Sequence, residues 1–138
     1  GWAVAQGKAY LPAIGRHEVL VADAATWKET GRVAVKGQPV FVMASPDGRQ
    51  IWVNFAFPDN GWVQVIDTLS GKVVQTLQPG KAVLHMEFTP RGEAVWLSAR
   101  DDNRVVIYDT KTFRNLGSFA AEAPSGIFFT SRAVRIGF

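Results

Sequence analysis

His17 and His85 are the only two imidazoles in this 138-residue sequence, and there is no cysteine. Imidazole can ligate a metal or haem iron, or move a proton near neutral pH. The plainer alternatives are a surface His17 and a His85 packed between strands. Glu87 follows His85 by two positions in Val83-Leu-His-Met-Glu-Phe88. In a strand that spacing puts both on one face and Met86 on the other, so Glu87 can orient His85 or act as an acid or base. The alternative for Glu87 is a charge lining a wet channel. Arg100-Asp-Asp-Asn103 reads as an anion clamp through Arg100, a hard-cation site through Asp101 and Asp102, or a charged hairpin turn. Without cysteine there is no disulfide, thiolate nucleophile, Cys-ligated zinc, iron–sulfur cluster or covalently attached c-type haem. No nucleophile elbow, phosphate loop or dinucleotide fingerprint occurs. The net charge of +3 is dispersed, and the densest basic stretch, Arg132 to Arg135, holds two Arg. Nucleic acid is therefore not indicated.

The elements that must position these residues come from an internal repeat. Val19-Leu-Val-Ala-Asp23, Val63-Gln-Val-Ile-Asp67 and Val105-Val-Ile-Tyr-Asp109 align, with the aspartates 44 and 42 residues apart. Tyr10, Trp52 and Trp96 form a second series, spaced by 42 and 44. Turns form a third: Ser45-Pro-Asp-Gly48, Thr89-Pro-Arg-Gly92, a degenerate Thr130-Ser-Arg-Ala133, and Ala5-Gln-Gly-Lys8 in the same slot of the first unit. Short apolar or alternating runs between Gly, Pro, Asp and Asn clusters read as strands. The second unit places strands A to D over residues 38–44, 49–55, 62–67 and 72–77, and the third over 82–88, 93–99, 104–109 and 114–119. Four short strands every ~40–45 residues mark an all-β fold, the β-propeller of the YVTN type. The expected blades are residues 1–36, 37–79 and 80–121, with the start of a closing blade over 122–138 and its strand B near Val134–Phe138. The recurring aspartates read as turn caps and the recurring aromatics as core. A propeller closes with about four to eight blades, so further blades or another copy of the chain are expected to cover the open edges.

In an antiparallel blade the A–B and C–D turns share one end, and the B–C loops and D–A connections share the other. The second end is more varied here, and rigid scaffolds usually carry binding sites on such loops. It collects His17, Gln38, Asn54, Phe57, Trp62, Lys81, His85, Arg100, Asp101 and Ser125. No apolar run approaches the ~20 residues of a membrane span, and no signal peptide is expected within this sequence.

The runs Leu84-His-Met-Glu-Phe-Thr-Pro-Arg-Gly-Glu93, Val95-Trp-Leu-Ser-Ala-Arg-Asp101, Val106-Ile-Tyr-Asp-Thr110, Pro124-Ser-Gly-Ile-Phe-Phe-Thr130 and Ser131-Arg-Ala-Val-Arg-Ile-Gly137 resemble the C-terminal part of the NirF family, haem d1 biosynthesis propellers of the d1-domain superfamily. The resemblance implies an eight-bladed ring in a denitrifying bacterium, usually periplasmic. It would bind haem d1 or its dihydro precursor in the last maturation steps for cytochrome cd1 nitrite reductase. Other maturation proteins and the reductase itself are the implied partners. For such a ligand the loop face offers aromatic walls (Phe55, Phe57, Trp62), cations for carboxylates (Arg100, Lys81), polar groups (Gln38, Asn54, Ser125) and a candidate iron ligand in His85 or His17. A catalytic d1 domain of a nitrite reductase and an interaction propeller without a small ligand are the other readings. Whether the chain catalyses or carries is open.

Overall fold

Alternation of apolar and polar residues sets twelve strands in the computed structural model, which describes residues 1–130. They form three four-stranded antiparallel sheets, each meandering in sequence order. The first holds β1 (Ala3–Ala5), β2 (Lys8–Pro12), β3 (Glu18–Asp23) and β4 (Glu29–Ala34). The second holds β5 (Pro39–Ala44), β6 (Gln50–Phe55), β7 (Val63–Asp67) and β8 (Lys72–Leu77). The third holds β9 (Val83–Phe88), β10 (Ala94–Ala99), β11 (Arg104–Asp109) and β12 (Asn115–Ala120), with a 3-10 turn at Arg100–Asp102. This is the all-β, propeller-like architecture expected. The proposed strand near Val134–Phe138, the turn at residues 130–133 and the motif at 131–137 fall wholly or largely outside the described residues. No helix among the described residues is long and apolar enough to cross a membrane.

The second sheet is a wall shared by two cores, which explains the near-continuous apolar run of β6. Ile51, Val53 and Phe55 face the first sheet and pack with Tyr10, Val19, Val21 and Val33. Trp52 faces the third sheet and packs with Val83, Met86, Phe88, Val95 and Leu97. Outer strands are solvated: β8 alternates half-buried and exposed residues, and β12 is exposed throughout. Of the recurring aromatics, Tyr10 (1% exposed) and Trp52 (0%) are core. Trp96 departs from that expectation and is only half-buried. It lies on the side of the third sheet away from the second, covered edge-on by Phe119 and Phe129 at 5.4 Å each.

Turn chemistry recurs at the A–B and C–D end. Gly7, Gly48 and Gly92 occupy equivalent slots with φ of 70°, 69° and 80°, a left-handed conformation that favours glycine. The strand-C aspartates cap the C–D turns. Asp23 Oδ1 accepts from the Thr26 and Ala25 amides at 2.7 and 3.0 Å. Asp109 Oδ1 accepts from Thr112 and Lys111 at 2.6 and 2.9 Å, and Asp67 Oδ2 from Ser70 at 2.7 Å. The Thr26, Ser70 and Thr112 amides hold these carboxyls below the usual aspartate range.

Candidate ligand face

The opposite end gathers the B–C loops and D–A connections, stitched by backbone bonds. Ala56 N–H donates to Gln38 O (2.9 Å), Val83 N–H to Asn60 O (2.8 Å), Arg100 N–H to Ala82 O (3.1 Å) and Ala121 N–H to Asn103 O (3.0 Å). Between the second and third sheets these loops enclose an open cleft of about 550 Å³. Its walls are Phe57, Pro58, Gly61 and Trp62 on one side, and Gly80, Lys81, Ala82, Asp101 and Asp102 on the other. Two glycines keep it narrow: a Cβ on Gly61 would lie 3.0 Å from Gly80 O, and one on Gly80 would lie 2.6 Å from Asp102 Oδ2.

Charge is distributed unevenly around the cleft. Lys36 Nζ stands 4.7 Å from the centre of the Trp62 ring and 3.8 Å from Asp59 Oδ1. Asp102 Oδ2 accepts the Lys81 amide at 2.8 Å and lies 3.7 Å from Arg104 Nη2, which in turn donates to Pro79 O at 3.2 Å. Asp102 therefore locks the D–A connection against the 3-10 turn. Arg100 is drawn aside, its Nε 4.0 Å from Asp101 Oδ1, and does not line the cleft. Among the described residues no three His, Cys, Asp or Glu side chains gather as a metal-binding cluster.

A second group lies further along β9, past Ala82. The pairing of β5 with β6 shifts register between Pro39 and Val42, and that of β9 with β10 between Val83 and Met86, opposite Leu97–Ala99. Each bulge frees one backbone amide that a side chain on the neighbouring strand captures. Phe41 N–H donates to Asn54 Oδ1 at 2.8 Å, and His85 N–H donates to Ser98 Oγ at 2.9 Å. Phe41 and His85 are thus repeat equivalents, and their rings meet edge-on with centroids 6.2 Å apart. Phe128 covers His85 at 4.9 Å, and the Ile127 amide donates to His85 Nδ1 at 3.2 Å.

The structure sorts the expected residues as follows. Phe57 and Trp62 share the cleft, and Phe57 is 84% exposed. His85 is half-buried on β9 and does not line the cleft; the segment that carries the exposed Ser125 covers it through Ile127 and Phe128. His17 is exposed on the B–C loop of the first sheet, where its carbonyl accepts from Val35. Gln38 holds Ala56 through its carbonyl. Asn54 is 2% exposed, and its Nδ2 donates to Val83 O and Leu84 O at 2.9 and 3.0 Å, so its side chain is spent on the backbone that shapes the site. Phe55 is core, at 2% exposure. Glu87 is also 2% exposed and pairs in register with Trp96, which corrects the expectation of a wet channel at that residue. Phe41, Phe128, Ser98 and Lys36 were not singled out by sequence reasoning. The repeat spacing of 44 between Phe41 and His85 was the available signal for the first of them.

The sequence matches the family described as the Cytochrome D1 heme domain over residues 1–133. The chain belongs to that family. Within it, the chain is similar to Protein NirF of Pseudomonas aeruginosa, at 54% identity over 137 residues, 99% of this chain and 35% of that protein. Protein NirF of Stutzerimonas stutzeri is 53% identical over the same share of each. The chain thus spans about a third of the length of these relatives. Among solved structures, the dihydro-heme d1 dehydrogenase NirN in complex with DHE superposes with a TM-score of 0.80 at 24% identity, over 91% of this chain and 28% of that one. The hydrazine synthase of Kuenenia stuttgartiensis gives 0.78 at 23%, over 86% of this chain and 34% of that one. At those identities the likeness speaks for the fold.

Proposed function

We propose that this chain is part of an eight-bladed, periplasmic propeller that binds haem d1 or its dihydro precursor during the last steps of cofactor maturation for cytochrome cd1 nitrite reductase. The observation that carries the reading is the loop face itself. Exposed rings (Phe57, Phe41, Phe128) and the cations Lys36 and Lys81 stand around one cleft and one inner-strand group, which suits a flat macrocycle bearing carboxylates. Membership of the d1 heme family and the likeness to NirF support the same ligand class. That likeness favours maturation over nitrite reduction. Phe57 and Trp62 would flank the macrocycle, and Lys81 would meet a carboxylate. Gln38, Ser125, His17 and Arg100 would add polar groups on the same loop end outside the cleft, while Asn54 acts through the backbone. The proposed blades are residues 1–36, 37–79 and 80–121, with a closing blade from 122.

An absorbance titration with haem d1 tests this reading. Saturable binding is expected, weakened roughly tenfold in the Phe57→Ala/Trp62→Ala double variant, since each aromatic contact contributes about 0.5–1 kcal/mol. Absence of any spectral change in the unmodified protein would refute the proposal.

A further inference from the structure

We infer that Lys36 is a positioning residue for the bound ligand: its ammonium holds the Trp62 ring at the cleft wall and does not itself meet a ligand carboxylate. The inference rests on the tetrapyrrole reading for its ligand, while its geometry belongs to the chain alone. Lys36 Nζ lies over the Trp62 ring, 4.7 Å from its centre. Trp62 lines the cleft and Lys36 does not, so the cation meets the ring from outside the site. Trp62 also packs against the core between the first and second sheets. The negative face of an aromatic ring attracts an ammonium, and that attraction favours one ring orientation over others. The ring is thereby set before a flat ligand arrives, which removes part of the ordering cost of binding.

Lys36 is itself fixed from two sides. Its amide donates to Gln64 Oε1 at 2.8 Å, and Gln64 Nε2 donates to Thr76 Oγ1 at 3.0 Å, which ties the first D–A connection to β7 and β8. Its Nζ lies 3.8 Å from Asp59 Oδ1, and Asp59 O accepts the Trp62 amide at 3.0 Å. The repeat shows that the scaffold does not call for an aromatic at this place. Glu18, Trp62 and Arg104 stand at equivalent positions at the start of strand C, 44 and 42 residues apart. Glu18 pairs with Arg32 at 2.9 Å, and Arg104 with Asp102 at 3.7 Å. In the second sheet a ring takes the place of the charge, and the preceding connection supplies the cation. Lys81, on the cleft wall, is left to meet a carboxylate.

A double-mutant cycle read by haem d1 titration tests this. Lys36→Met keeps an unbranched side chain and removes the charge. It should weaken binding about threefold, the worth of a part-exposed cation–π contact. The loss should not exceed that of Trp62→Ala, since a residue acting through the ring cannot cost more than the ring. In the Trp62→Ala background Lys36→Met should cost nothing further. Lys36→Arg should bind like the parent, and so should Asp59→Asn, which removes the ion pair but leaves the cation over the ring. An equal loss from Lys36→Met in both backgrounds would establish a direct contact with the ligand and overturn the inference. A loss in Asp59→Asn as large as in Lys36→Met would assign the effect to the loop and overturn it as well. Unchanged affinity of Lys36→Met beside a weakened Trp62→Ala would do the same while leaving the tetrapyrrole reading intact. Absence of binding by the unmodified protein would strike at that reading itself. The ligand-free premise has its own readout: the ring current of Trp62 should move the Lys36 ε-methylene protons upfield, and Trp62→Ala should return them. Ordinary shifts in the parent would overturn the inference without reference to any ligand.

Discussion

Replacing Asn54 by Leu should destabilise the chain by about 3 kcal/mol, because one buried amide holds two sheets together. Its Oδ1 takes the Phe41 amide at 2.8 Å, and its Nδ2 reaches Val83 O and Leu84 O at 2.9 and 3.0 Å. At roughly 1 kcal/mol net per neutral hydrogen bond, three bonds give about 3 kcal/mol. Leucine has the same side-chain branching and is somewhat bulkier, so no cavity is left, the main loss is polar, and any overpacking adds to it. The orphaned groups keep the cost from falling below that sum. Asn54→Ser sharpens the test. Ser98 fills the equivalent place in the third sheet and captures the His85 amide without reaching another sheet. Serine at 54 should therefore retain the bond to Phe41 and lose the two cross-sheet bonds, at about 2 kcal/mol. Urea unfolding followed by tryptophan fluorescence and by far-ultraviolet dichroism measures both. The Leu variant should lower Tm by about 10 °C for a domain of this size. A Leu variant within about 1 kcal/mol of the parent, or a Ser variant no better than Leu, would refute the staple argument.

Two further outcomes follow from the turns. Gly71 has φ 66° with open space around its Cβ position, whereas Gly31 has open space and no positive φ. Gly71→Ala should cost about 1 kcal/mol in the same unfolding assay and Gly31→Ala should not, since only the first forces a side chain into the left-handed region. The Asp23, Asp67 and Asp109 carboxyls are held below their ordinary range by turn amides. Their contribution is therefore present above the unfolded carboxylate value and is lost as pH falls through the lowered one. A triple Asp→Asn variant should lose less stability than the parent between neutral and strongly acidic pH. Parallel pH–Tm curves would contradict this.

Strands and turns were legible in the sequence because each rests on local chemistry that recurs. Period-two apolar runs and the Asp and Gly of the turns placed β5 to β12 within a residue of where they lie. The two ends of the sheets followed from connectivity alone. What was not legible depends on contacts between strands distant in sequence. The bulges at Phe41 and His85 exist because Asn54 and Ser98 capture amides across the ladder, and neither residue announces that role locally. Arg100 reads as a ligand group from its place at a strand end; that the 3-10 turn hooks its backbone to Ala82 and sets its side chain near Asp101 depends on contacts the sequence does not display. Trp96 looked like core by analogy with Trp52. Its place on the face of the third sheet away from the second leaves it only half-covered.

The repeat separates scaffold from site by comparison within one molecule. Positions that keep their residue type, such as the strand-C aspartates that cap a turn amide and the A–B turn glycines with positive φ, recur in each sheet and lie at one end. Change occurs at both ends: in the exposed A–B turns Asp47 becomes Arg91 and Arg49 becomes Glu93, and at the other end the changes reach inner-strand and loop positions. Phe41 becomes His85, Asn54 becomes Ser98, and the loop from Ala56 to Gly61 gives way to the short turn at Arg100–Asp102. A purely structural repeat would leave such drift scattered over exposed positions. Here the changes at the loop end include buried or half-buried residues, Asn54 to Ser98 and Phe41 to His85, as well as exposed ones. Such changes at inner positions are a physical argument for the proposed ligand end that does not depend on any likeness to other proteins.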